Sequence, residues 1–258
     1  MADVVITQAD INTAMNLWRI SAPAQYQTLL DAQAPKDDND LERLLLAGAL
    51  IYFGGQYLSP VTGTIVSYLV VRKTLDDILL TSAYGMTEPT KRLVNGDITI
   101  DEWQSEMQKQ ILYVQIMAAV AARGGLAQMT DADWAALQDQ VQRQYDYLDK
   151  FAEELKSKRT VLTLALLARA ALYADAGIPG FEQVRTNIQG QSGNTEERYI
   201  LDPDAIHCDG CVERAGEQWK PLGVLPPLGE EPCGVRDRCT RQYRKPDGNG
   251  GWIVSEVE

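Results

Sequence analysis

All four cysteines of this 258-residue chain lie near its C-terminus, as Cys208 and Cys211, then Cys233 and Cys239. Thiolates are soft ligands, and a C-x2-C pair is a knuckle that offers two of them to one tetrahedral zinc. The second pair is C-x5-C, a wider spacing than the knuckle usually takes. The segment between the pairs is rich in proline and glycine, and metal–sulfur bonds would supply the folding energy that so short a stretch cannot draw from a core. Four thiolates close the coordination sphere, which makes such a site structural rather than catalytic. The same cysteines also admit two disulfides or reduced thiols. His207 is the single histidine and adjoins Cys208, so it ranks as a less favoured ligand, because neighbouring residues reach one metal awkwardly.

Other chemistry is thinly represented. The sequence has no phosphate-binding loop, dinucleotide fingerprint or nucleophile elbow, and one histidine leaves little material for triad chemistry. Acidic neighbours such as Asp76-Asp77 and Glu153-Glu154 fall on expected helices, where adjacent side chains diverge by about 100°. We assign no catalytic residue and expect no enzyme. Arg236, Arg238, Arg241, Arg244 and Lys245 form a basic cluster that suits a local contact with DNA or an acidic partner. Its plainer reading is a charged strand edge that discourages aggregation. The formal charge of -12 excludes a protein that embraces nucleic acid with its whole surface.

The most apolar run, 161–176, is shorter than the roughly 20 residues of a membrane span and carries Arg169, so no membrane contact is expected. Arg169 is either a buried anchor to a carboxylate of the cysteine module or part of an exposed stripe. The first residues lack the basic start and apolar stretch of a signal peptide, which makes a reducing compartment the expectation.

These residues must be positioned by a mainly α-helical fold. Helices are expected over 8–30, interrupted at Pro23, and over 39–53, followed by one over 64–80 whose β-branched start also suits a strand. Thr99 or Asp101 should cap a helix running to about 122 and closed by Gly124-Gly125. Thr130 and the acids after it open the next helix, whose Trp134, Leu137, Val141, Tyr145, Leu148 and Phe151 share one face. An apolar helix over 160–175 should stop at Gly177-Ile178-Pro179-Gly180. Short strands are expected at 199–201, 240–244 and 252–257, with a glycine-rich turn at 247–251. The domain reading is a helical body at 1–180, in which 1–60 is a possible separate N-terminal arm. A small cysteine-rich, zinc-stabilised β module follows at 181–258.

The order of several segments is familiar. It runs Leu93-Val94-Asn95-Gly96-Asp97-Ile98-Thr99-Ile100-Asp101-Glu102-Trp103, then Gln144-Tyr145-Asp146-Tyr147-Leu148-Asp149-Lys150-Phe151-Ala152, then Ala168-Arg169-Ala170-Ala171-Leu172-Tyr173-Ala174. Tyr199-Ile200-Leu201-Asp202-Pro203, His207-Cys208-Asp209-Gly210-Cys211, Leu225-Pro226-Pro227-Leu228-Gly229 and the Cys233 to Cys239 pair follow. This order resembles the minor head, or head morphogenesis, proteins of tailed bacteriophages, including the Mu F-like group. Relatives often end in C-x-C, a departure from the wider spacing here. The resemblance implies a virion structural protein without catalytic turnover, assembled in the host cytoplasm in contact with capsid, portal or neck subunits. The alternative from another class is a zinc-ribbon nucleic-acid-binding protein or a metal-dependent enzyme centred on the cysteines.

Overall fold

The computed structural model describes residues 5–7, 9–10, 13–14, 51–53, 56–58, 65–157, 163, 165–201, 203, 206–226 and 239–254. The helix expected over 8–30 falls almost wholly outside these residues. The helix expected over 39–53 meets them only at Ile51–Phe53, and there the chain is a strand instead. Ile51–Phe53 (β1), Gln56–Leu58 (β2) and Ile65–Val66 (β3) form a small antiparallel sheet in that order. The Tyr57 hydroxyl donates to the Ala122 carbonyl and ties this sheet to the body.

The ambiguous run at 64–80 is both of its alternatives in turn. Its β-branched start is β3, and a helix, α1 (Tyr68–Asn95), follows and ends on left-handed Gly96. The next helix, α2 (Ile100–Arg123), opens with a reciprocal cap in which Thr99 and Glu102 satisfy each other's backbone N–H groups, and it closes on left-handed Gly124. Its second half, Ile-Leu-Tyr-Val-Gln-Ile-Met-Ala-Ala-Val-Ala-Ala, has no polar face, and an all-round apolar helix must be buried on all sides. Residues 113–123 are accordingly buried without a break. α3 (Asp131–Lys156) repeats the capping device with Thr130 and Asp133. Trp103 of α2 meets Phe151 of α3 edge to face at 5.4 Å, and its indole N–H donates to Thr90 of α1. α4 (Ala165–Asp175) packs along α1.

The Gly177–Gly180 segment does not stop the helical body. It is the first turn of another helix, α5 (Gly177–Gln191), which packs on α2 and α3. Proline in a first turn has no N–H to lose there. The two glycines permit contact: a Cβ at Gly177 would come within 2.9 Å of a Leu79 methyl and 3.1 Å of a Val114 methyl. The boundary expected at residue 180 thus falls inside α5.

Beyond α5 the chain forms Glu196–Ile200 (β4), α6 (Asp209–Gly216), Lys220–Pro221 (β5), Thr240–Pro246 (β6) and Trp252–Val254 (β7). All pairings are antiparallel, in the order β5-β4-β6-β7. The protein is therefore mainly helical with a small antiparallel sheet. Alternation along β4 and β6 buries Glu197, Tyr199, Arg241 and Tyr243 on one face, towards α5, and leaves their neighbours on the other.

Candidate metal centre and the loop beside it

Cys208 is the N-cap of α6, and its sulfur accepts the Cys211 N–H at 3.4 Å. This turn brings the two sulfurs to 3.4 Å from each other. That is far beyond a disulfide bond of about 2.0 Å, and near the edge of about 3.8 Å expected for a tetrahedron of 2.3 Å zinc–sulfur bonds. Cys239 immediately precedes β6, and its sulfur stands 3.8 Å from Nδ1 of His207. Cys211 and Cys239 are buried in one cluster with Tyr199 and Leu225, and Cys208 packs against it. The donor chemistry and the first pair's spacing fit a structural zinc. Among the described residues no three of these side chains stand together as a metal-holding group. Cys233, the fourth expected ligand, lies outside the described residues.

The loop that contributes Leu225 is held by a buried ion pair that sequence reasoning missed. On β4, Glu197 accepts the N–H groups of Gly223 and Leu225 through Oε1, at 2.9 and 3.1 Å. Its Oε2 faces Nη1 of Arg241 at 3.1 Å. The Arg241 guanidinium also donates to the carbonyls of Leu225 and Pro226 and to the Thr186 hydroxyl of α5. One pair therefore fixes both the donors and the acceptors of a proline-rich loop and fastens it to α5. The signal was present as a period-two pattern, because Glu197-x-Tyr199 and Arg241-x-Tyr243 each place a charge on the same face as a large aromatic.

Arg241 is consequently not part of a DNA-contacting surface, a correction forced by its burial at 3% exposure. Arg244 is stacked between Trp219 and Trp252 and paired with Glu196, while Lys245 donates to the Ser192 carbonyl. Arg236 and Arg238 lie outside the described residues. Arg169 pairs with Glu154 of α3 and covers the Phe151 ring, which places it on the half-exposed side of the body and not against the cysteine module.

Two further ionic centres surround α5. Glu182 takes two contacts from Arg185 at 2.9 and 3.0 Å and lies 3.7 Å from Arg72 of α1, while Arg185 also reaches the Thr240 hydroxyl of β6. Asp133 caps α3, pairs with Arg123 of α2 at 3.2 Å and accepts from Asn187 of α5. The Tyr243 hydroxyl meets Thr186 at 3.1 Å, and burial drives its phenol well above the usual range.

Among the described residues no helix is long and apolar enough to cross a membrane. Comparison of the chain with protein-family models, curated proteins and solved structures found no match.

Proposed function

We propose that this chain is a structural component of a tailed-bacteriophage head or neck, acting in capsid or portal assembly through protein–protein contacts. In this reading its cysteine module is stabilised by zinc. The observation that carries the proposal is a pair of close contacts, Cys208 with Cys211 and Cys239 with His207, whose cysteines share one small buried cluster with Leu225 on a sheet bonded into the helical body. That is where the resemblance to minor head proteins is most specific. The buried carboxylates Asp133, Glu182 and Glu197 face Arg123, Arg72 and Arg241 on other elements, a use of charge that favours rigidity over turnover.

Zinc bound here would supply tetrahedral bonds to Cys208, Cys211, Cys233 and Cys239, with His207 as the less favoured ligand. The assembly takes place in the host cytoplasm and the mature location is the virion. The DNA-binding alternative is weakened by the burial of Arg241.

The first test is elemental analysis of protein purified under reducing conditions, with Cys208→Ser and Cys239→Ser variants. One zinc per chain in the wild type, lost in both variants while the helical circular dichroism persists, is the expected result. A folded wild type without zinc refutes the metal centre. The assembly role is checked separately by mass spectrometry of purified particles from the phage or prophage that encodes the chain, and its absence from heads refutes that role.

A further inference from the structure

The outer face of the C-terminal sheet carries a transverse row of planar groups. The register sets Arg198 of β4 opposite Gln242 of β6, Glu196 opposite Arg244, and Arg244 opposite Val254 of β7. Directly opposed residues share a face, so these side chains lie together, away from the buried Tyr199 and Tyr243. The Arg198 guanidinium lies 4.7 Å from the Trp219 ring centre, and that of Arg244 lies 4.5 Å from Trp219 and 3.8 Å from Trp252. Sandwiched in this way and paired with Glu196, Arg244 locks both indoles in place. Trp252 and Val254 nevertheless remain 43% exposed each.

Charge bookkeeping singles out Arg198. In a chain with 36 acidic and 24 basic residues, an arginine ordinarily finds a carboxylate. Arg92, Arg123, Arg169, Arg185, Arg241 and Arg244 all do. Arg198 faces none among the described residues; its Nε donates to the neutral amide of Gln242 at 2.8 Å, and its other contact is the Trp219 ring. That contact fixes the plane of the guanidinium, and its terminal N–H groups form the planar fork that matches a carboxylate.

We propose that this face docks an acidic, extended peptide segment of a partner protein, with a carboxylate on Arg198 and apolar side chains on Trp219, Trp252 and Val254. Complementary charge selects this occupant. A nucleic acid strand needs several phosphates neutralised at once, whereas among the described residues this face offers one cation without a carboxylate, on a chain of net charge -12. Rigid aromatic planes bind peptide side chains at low entropic cost, and exposed Trp and Arg are the residue types that dominate protein contacts. The proposal rests on the contact role above only in naming a protein as the partner; it does not require the cysteines or a virion.

The experiment probes an array of capped twelve-residue peptides of random sequence with the full chain, wild type and Arg198→Gln. Selected peptides, their Asp/Glu-to-Asn/Gln counterparts and a twelve-residue oligothymidylate are then titrated by tryptophan fluorescence. Enrichment of Asp and Glu among bound peptides is expected, with at least tenfold weaker binding both for the amide counterparts and for Arg198→Gln. Trp252→Ala should weaken acidic and amide peptides alike, with circular dichroism unchanged in both variants. No acidic enrichment, or enrichment indifferent to Arg198, overturns the proposal. Preference for oligothymidylate with steep salt dependence assigns the face to nucleic acid and overturns it as well. A dimer seen by light scattering and broken by Arg198→Gln makes a second copy the occupant and has the same effect. Chains that pass this test yet are absent from purified heads would separate the face from the assembly role.

Discussion

Replacing Glu197 by Gln tests whether the buried pair with Arg241 organises the cysteine module. The substitution preserves shape, and an amide oxygen can still accept from Gly223 and Leu225. The group facing Arg241 becomes a donor, however, so a guanidinium at 3% exposure loses the carboxylate that it faces at 3.1 Å. Breaking one partner out of a buried pair costs about 3–5 kcal/mol, because the other charge stays buried and uncompensated. Since each 1.4 kcal/mol is a factor of ten, transient opening of the module should rise by about two to three and a half orders of magnitude. Cys211 and Cys239, each 1% exposed, report that opening directly. Their reaction with a thiol reagent, followed in the presence of a chelator, should accelerate by that factor, while urea unfolding gives the cost in global stability. Arg241→Met leaves Glu197 with its two backbone donors but strips the Leu225 and Pro226 carbonyls of theirs. The double variant removes both charges, so its cost should fall short of the sum of the singles by about 2–3 kcal/mol. A Glu197→Gln cost below about 1 kcal/mol, or strict additivity, would refute the claim that this pair holds the loop.

Two further outcomes follow from the packing. Gly177→Ala drives a Cβ against Leu79 and Val114 and should cost about 1–3 kcal/mol by urea denaturation, whereas a neutral result would mean that α5 does not press on α1 and α2 as described. Burial pushes the Tyr145 phenol up to about 12 and those of Tyr173 and Tyr243 higher still, so each favours the neutral form in the folded state. This stability is fully present below the ordinary tyrosine value of about 10 and is lost as pH rises through the raised folded values. Absorbance at about 295 nm should therefore show a delayed, cooperative tyrosinate step that coincides with loss of helical signal; all tyrosines titrating near 10 in a still-folded protein would contradict the burial.

What was legible in the sequence was what local chemistry determines. Thr99 with Glu102 and Thr130 with Asp133 are three-residue signals, and both form reciprocal caps at the expected places. The strand expected at 240–244 and the turn near Asp247 follow from alternation and glycine and are found at 240–246 and 247–251, whereas the strand expected at 199–201 runs over 196–200 and overlaps it only at Tyr199 and Ile200. The failures are nonlocal. Glycine and proline at 177–180 do end α4 at Asp175 as expected, but that they also open α5 was not readable, because sequence alone does not reveal Leu79 and Val114 packed against Gly177. Arg241 read as one of a basic surface cluster because its partner, Glu197, stands 44 positions earlier. The segment at 51–53 has helix-compatible periodicity with what precedes it, yet its neighbours Gln56–Leu58 pair with it as a strand. At the candidate metal centre, the Cys208–Cys211 turn was readable from spacing, whereas the approach of Cys239 to His207 depends on the sheet register that carries β6 past β4.

The placement of α5 explains why composition is a poor guide to the architecture in this region. From residue 181 onward the sequence turns to Gly, Asn and Gln, which ordinarily mark loops. Yet Phe181, Val184 and Ile188 enter the main core, and between them Glu182, Arg185, Thr186 and Asn187 are directed at polar partners on other elements. The helix is covered by α1, α2, α3 and the sheet over most of its surface, so its buried polar groups Glu182, Arg185 and Thr186 must each meet a partner with good geometry or cost several kcal/mol. That requirement fixes α5 in one rotation and one depth: Glu182 must reach Arg72 and Arg185, while Thr186 must reach Tyr243 and Arg241. The sheet is thereby keyed to the helical body by directional bonds rather than by oil alone. The loop with Leu225 and the cysteines inherits that precision through Glu197 and Arg241. A surface meant to be read by another protein gains from such keying, because the outer face with Trp219 and Trp252 lies one sheet thickness from the helix that fixes it.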